Sequence, residues 1–219
     1  MPNKTNTGLW LIALVCTLIL LVIFSVVMGP IEISWLDLLL LLPGDHDSSA
    51  LLDVLVDIRL PRALSALVIG AALGLSGALT QALFRNPLAD PALLGVTSGA
   101  ALAIAILMVF APVLSSLMVS FEAIQQWLYP VAAFLGALFM CQILLLLSKV
   151  MSLVSISSLL LCGLALNALA SAVIGLCIYF ANDQQLRSFT FWTLGSLAGV
   201  SWQAFWVLMI GLLIGSITV

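Results

Sequence analysis

Long apolar runs separated by short polar stretches fill this chain, and their lengths match those of membrane spans. A helix crosses a bilayer with about 20 apolar residues at 1.5 Å each. The first run, 9–28, carries no charge and predicts a span. Lys4 ahead of an apolar run also fits a secretory signal. Signal h-regions hold roughly 7–15 residues, however, and Val27-Met28-Gly29 is no small-x-small cleavage site. The expectation is an uncleaved first span. The stretch 31–42 is shorter, carries Glu32, Trp35 and Asp37, and stops at Pro43-Gly44. It predicts an interfacial segment with an amphipathic start. A polar loop through Asp45 and His46 then leads to Asp53 and Asp57.

Further spans are predicted over 63–84, 93–110, 129–147, 159–181 and 202–219. Pro61 suits the opening of the second span, and Arg85-Asn86-Pro87 ends it. Asn86 to Pro91 predicts a tight turn, and Pro112 closes the third span. A loop with Glu122, Gln125, Gln126 and Trp127 follows. Lys149 closes the fourth span, and a serine-rich link, Ser152 to Ser158, leads to the fifth. Asn182 to Ser188 reads as a polar loop, followed by a glycine-rich apolar stretch to Val200. The predicted fold is all-α, a polytopic membrane protein with about six transmembrane helices in a single domain over 1–219. The last span reaches the final residue with no basic flank, and a span usually leaves the bilayer beside such charge. The expectation is the front portion of a longer protein.

Composition agrees. Of 219 residues, 64% are apolar and 7% charged, against roughly 25% charged in a soluble domain. Mean hydropathy is +1.32. The formal net charge of −3 leaves no basic stripe for nucleic acid. Cys16, Cys141, Cys162 and Cys177 sit in apolar runs without a C-x-x-C pair, and read as small buried apolar residues rather than ligands. No metal or cofactor site is expected. Lys4, Arg85 and Lys149 fall on one side of the predicted spans and Arg59, Arg62 and Arg187 on the other, so loop charge sets no orientation.

Few residues carry chemistry. Glycines four apart at Gly70/Gly74, Gly95/Gly99, Gly195/Gly199 and Gly211/Gly215 predict close helix packing, within the chain or between two copies. Gly74-Leu75-Ser76-Gly77 matches a string found in intramembrane serine proteases, but that chemistry needs a histidine beside the serine. His46, the single histidine, lies in a loop. The predicted spans contain no charge for a proton relay, and no Walker loop binds ATP. No catalytic residue is expected. Energy for any transport must then come from elsewhere, for example a partner ATPase. Arg59 and Arg62 flank Pro61 at a helix start, where a cation opposes the helix dipole. They read either as snorkelling anchors or as docking charges for an acidic partner.

The block from Arg59-Leu60-Pro61-Arg62 to Arg85-Asn86-Pro87-Leu88-Ala89-Asp90-Pro91 closely resembles permease subunits of type II ATP-binding-cassette importers. This is the FecCD-type family of iron–siderophore, haem and cobalamin uptake. Leu94 to Ala100, Leu159 to Leu166, and Phe191 to Leu197 with Trp202 continue the likeness. The resemblance implies about ten spans per subunit in two inverted repeats, a cytoplasmic N-terminus and a bacterial inner-membrane location. It implies a second permease subunit, in a homodimer or a related pair, with cytoplasmic ATPase subunits and a periplasmic substrate-binding protein as partners. It implies alternating access. This chain then holds the first repeat and lacks the second repeat and the helix that touches the ATPase.

Residue by residue, Arg59 matches an arginine that pairs with a glutamate of the binding protein, and Arg62 stands beside it. Asn86 and Leu88 match the cytoplasmic gate at the turn between the second and third spans. Ile156 and Ser157 match the other gate segment. There the chain departs from the pattern, with Ile156 where a small hydroxyl residue is frequent and Ser158 where arginine is common. Gly163 and Asn167 match the helix lining the pathway. The wording from Asp183 to Leu197 leans toward haem and siderophore members over cobalamin ones. A cobalamin permease, and a truncated non-transporting remnant or scaffold, are the alternatives.

Overall fold

The computed structural model describes residues 4–29, 49–117, 121–150 and 156–218. The predicted interfacial segment 31–42, His46 and most of the serine-rich link lie outside the described residues. The described chain is helical apart from turns and short connections. Five of its helices are long and apolar enough to cross a membrane, and Trp202–Ile217 is a shorter apolar helix. The protein is therefore a polytopic all-α membrane protein. It divides into two compact units, one of residues 1–75 with 197–219 and the other of residues 76–196.

In the first unit, α1 (Lys4–Val27) is an uninterrupted apolar rod. Its leucines and isoleucines are exposed all round, as lipid contact requires, and Cys16 is exposed among them rather than buried. The short helix α2 (Ser49–Asp53) runs without a break into a π-helical segment (Val54–Arg59) and then α3 (Leu60–Phe84). The apolar rod of Leu51–Phe84 counts 34 residues, whereas apolarity alone puts the span at 63–84. At 1.5 Å per residue this rod is about 50 Å long, beyond the ~30 Å hydrocarbon layer, so its end with Asp53 and Asp57 projects past the apolar stretch. The helix α8 (Trp202–Ile217) opens under a Ser201 cap.

In the second unit, a 3-10 turn (Pro91–Leu94) precedes α4 (Val96–Leu117), α5 (Phe121–Val150), α6 (Ile156–Phe180) and α7 (Asp183–Leu194). Met140, Leu144, Leu166 and Ala170 form the buried core between α5 and α6. Three expectations need correction. Residues 121–127 are the first turns of α5 rather than a loop, since Glu and Gln are good helix formers with no breaker among them. Pro112 does not end the third helix, because α4 continues to Leu117. Proline cannot donate to the carbonyl four residues back. That carbonyl, Met108 O, is met by Gln185 Nε2 at 2.8 Å.

The polar stretch after Asn182 is likewise a helix, not a loop. Asn182 Oδ1 accepts from Gln185 N, and Gln185 Oε1 accepts from Asn182 N, both at 2.9 Å. This reciprocal capping box starts α7. Asp183 in the first turn faces the positive end of the helix dipole. Gln185 therefore caps its own helix with its oxygen and repairs α4 with its nitrogen.

Candidate functional site

The turn between α3 and α4 is built by its own polar side chains. Arg85 takes a left-handed conformation (φ 47°) as α3 ends. Asn86 N donates to Gln81 O and Arg85 N to Ala82 O, which closes the helix in a Schellman arrangement. Asn86 Oδ1 then accepts from Leu88 N at 2.9 Å, an Asx turn. Asp90 Oδ1 accepts from Ala92 N at 2.8 Å and caps the 3-10 turn. The result is a stiff hairpin of chain with Leu88 at its tip, 84% exposed.

That turn is clamped onto α6. Gly163 lies so close to the Leu93 carbonyl oxygen that a Cβ would overlap it. One turn along, Asn167 Nδ2 donates to Ala92 O at 3.1 Å, and Ser98 Oγ donates to Asn167 Oδ1 at 2.5 Å. Gly163 and Asn167 thus face the turn and α4, on the packed side of α6. Leu161, Leu164, Leu169 and Leu176 are the exposed leucines of the same helix. Ile156 and Ser157 open α6, with side chains outside the described set.

The glycine pairs divide. Gly99 packs against Gly136 of α5, where a Cβ would come within 2.5 Å of the Gly136 carbonyl oxygen. Gly95 has φ 85° as the 3-10 turn passes into α4. A lone glycine, Gly136, is thus the true partner, and no spacing rule marks it. Gly70, Gly74, Gly195, Gly199, Gly211 and Gly215 have open space where a Cβ would stand. Between α4, α5 and α6 lies a cleft of about 250 Å³, lined wholly by apolar side chains and glycine, including Leu102, Ile106, Phe139 and Val173.

In the first unit Arg59 is 8% exposed. Its Nη1 donates to Val26 O at 2.9 Å and Val27 O at 2.7 Å, the last carbonyls of α1. A guanidinium at a helix C-terminus satisfies orphan carbonyls and complements the dipole. Gly29 leaves room for it, since a Cβ there would stand 2.7 Å from Arg59 Nη2. Arg62 is exposed. Sequence reasoning therefore located the unusual arginine but missed its partner, because the last carbonyls of α1 carry no side-chain signature.

The comparisons decide the family. The FecCD transport family profile matches residues 17–219. The chain belongs to the FecCD transport family. It is 38% identical over 202 residues to the hemin transport system permease protein HmuU of Yersinia pestis, covering 92% of this chain and 57% of that protein. It is 35% identical over 200 residues to the vitamin B12 import system permease protein BtuC of Escherichia coli, covering 91% and 56% respectively. The chain thus spans a little over half the length of these FecCD relatives. Its fold matches a metal-chelate type ABC transporter chain in an inward-facing conformation, with a TM-score of 0.75 and 27% identity over 94% of this chain and 59% of that one.

Proposed function

We propose that this chain is part of the permease subunit of an ATP-binding-cassette importer, carrying a metal chelate across the bacterial inner membrane by alternating access. Haem or a ferric siderophore is the favoured cargo. The observation that carries the reading is the family match over 17–219, joined to a helical layout that superposes on a metal-chelate transporter. ATP hydrolysis belongs to separate cytoplasmic subunits, a binding protein delivers cargo from the periplasm, and a second permease subunit completes the pathway. Cobalamin is the second reading, favoured by the 35% identity to a B12 permease.

The site residues take roles within that proposal. Asn86 and Leu88, on their self-braced turn, form one lip of the cytoplasmic gate, and the start of α6 at Ile156 and Ser157 forms the other. The clamp of Gly163 and Asn167 on the turn makes α6 and the Leu88 tip move together, while the pathway is lined by the opposite face of α6. On the outer side Arg62 is the accessible docking cation, and Arg59 holds the docking segment to α1. Reversing Arg62 with Arg62→Glu should weaken binding-protein docking, more so at low salt.

Complementation tests the cargo. A host lacking its own haem and cobalamin permeases receives the gene at its natural length with its ATPase and binding protein. Growth on haem or on a ferric siderophore as sole iron source supports the first reading. Cobalamin-dependent growth alone supports the second, and growth on none of the three argues against both.

A further inference from the structure

The wide segment before α3 is met by a side chain 146 residues away in sequence, Trp202. Leu60 donates its backbone N–H to Leu55 O, one residue further back than in an α-helix. In that register the next bond runs from residue 61 to Val56 O. Residue 61 is a proline, fully buried, with no N–H to give. The indole N–H of Trp202 takes its place on Val56 O at 3.0 Å. The ring is braced edge-on by Phe205, itself buried, with centroids 5.6 Å apart. At the last residue of the same segment, Arg59 grips the last carbonyls of α1.

The alternative register is close at hand. In an α-helix Leu60 N–H would bond Val56 O itself, and the Pro61 ring would press on the Asp57 carbonyl. The wide register relieves that clash but leaves Val56 O, on a residue 41% exposed, without a backbone donor. An outside donor on Val56 O therefore decides between the two. The same repair occurs at Pro112, where Gln185 fills Met108 O, but there the helix keeps its α register.

We propose that Trp202 is a register lock. Its N–H holds Val54–Arg59 in the π form, which fixes the side chains that the stretch ahead of Pro61 turns outward and keeps Arg59 on α1. Withdrawal of the indole moves the Leu60 N–H from Leu55 O to Val56 O. That one-residue change turns the chain ahead of Leu60 by about 100° and shifts it about 1.5 Å along the axis of α3. Displacement of α8 is thereby converted into rotation of the segment that carries Arg59. Such π turns inside α-helices recur at functional sites. The inference concerns backbone register alone and does not depend on the cargo or the docking partner.

The test reads register directly. The natural-length protein, with its native cysteines replaced, carries one cysteine at a time at positions 52–58 and is labelled in native membranes with a water-soluble maleimide. Trp202→Phe keeps the ring and removes the N–H. It should displace the labelling pattern by one residue, with several-fold rate changes where positions exchange sides. Trp202→Leu removes the donor and the ring together, and should displace the pattern in the same direction. An unchanged pattern in Trp202→Phe overturns the lock. If Trp202→Phe does not accumulate in the membrane, Trp202→Leu decides. The displaced pattern then supports the lock, and the unaltered pattern overturns it.

Discussion

At the scale of single residues, stability turns on which polar atoms find partners away from water. Arg59 reaches two carbonyls of α1 because Gly29 has no side chain. Gly29→Ala should push the guanidinium off at least one of them. Hydrogen bonds to charged groups contribute about 1.5–3 kcal/mol, so a loss near the lower end is expected in thermal unfolding of the purified protein. Ser65 shows the opposite case. It is fully buried in α3, and its Oγ has no hydrogen-bond partner among the described residues. Ser65→Ala should stabilise the protein by about 1 kcal/mol, since it removes an unmet hydroxyl at little cost in packing. A lower midpoint for Ser65→Ala would show that the hydroxyl is bonded in the membrane. Neither position was legible in the sequence, which shows residue type but not which carbonyl or cavity a side chain meets. Asn86 was more legible, because its oxygen bonds the backbone two residues on and asparagine before proline marks such a turn.

At the scale of elements, apolar run length located the helices and misjudged their ends. Pro112 is a reliable stop only when nothing supplies the missing donor, and here Gln185 does. The capping pattern of Asn182 and Gln185 was present in the sequence, hidden by the reading of a polar stretch as a loop. Gln185→Glu separates its two tasks. The carboxylate still caps α7 but sets an acceptor against the Met108 carbonyl, so α4 should loosen near Pro112 while α7 persists. Hydrogen exchange resolved by peptide reads the two helices separately. Loss of protection in α7 with α4 unchanged would reverse that assignment. Close packing was half legible. Gly99 stood in a spaced pair, but its contact is Gly136. Gly163→Ala drives a methyl group into the Leu93 backbone carbonyl, which no rotamer change relieves. A loss of about 1–3 kcal/mol is expected, with the turn displaced from α6.

At the scale of the whole molecule, composition alone excluded a soluble domain, and the spaced apolar runs anticipated the polytopic helical architecture. Physical reading of the residues left the activity open, because the spans lack the charges and nucleophiles that announce chemistry. The long block from Arg59 to Pro91 supplied the family, and the match over 17–219 establishes it. Cargo is the least legible property, since the apolar spans carry no ligand set for a chelate to declare. The most direct measurement is ATP-driven uptake of radiolabelled haem, ferric siderophore and cobalamin into proteoliposomes. These hold the natural-length permease with its ATPase subunits, with binding protein supplied on the outer face. ATP-dependent accumulation of haem or ferric siderophore in preference to cobalamin is expected, reduced severalfold by Arg62→Glu. Accumulation of none of the three with active ATPase subunits would contradict it.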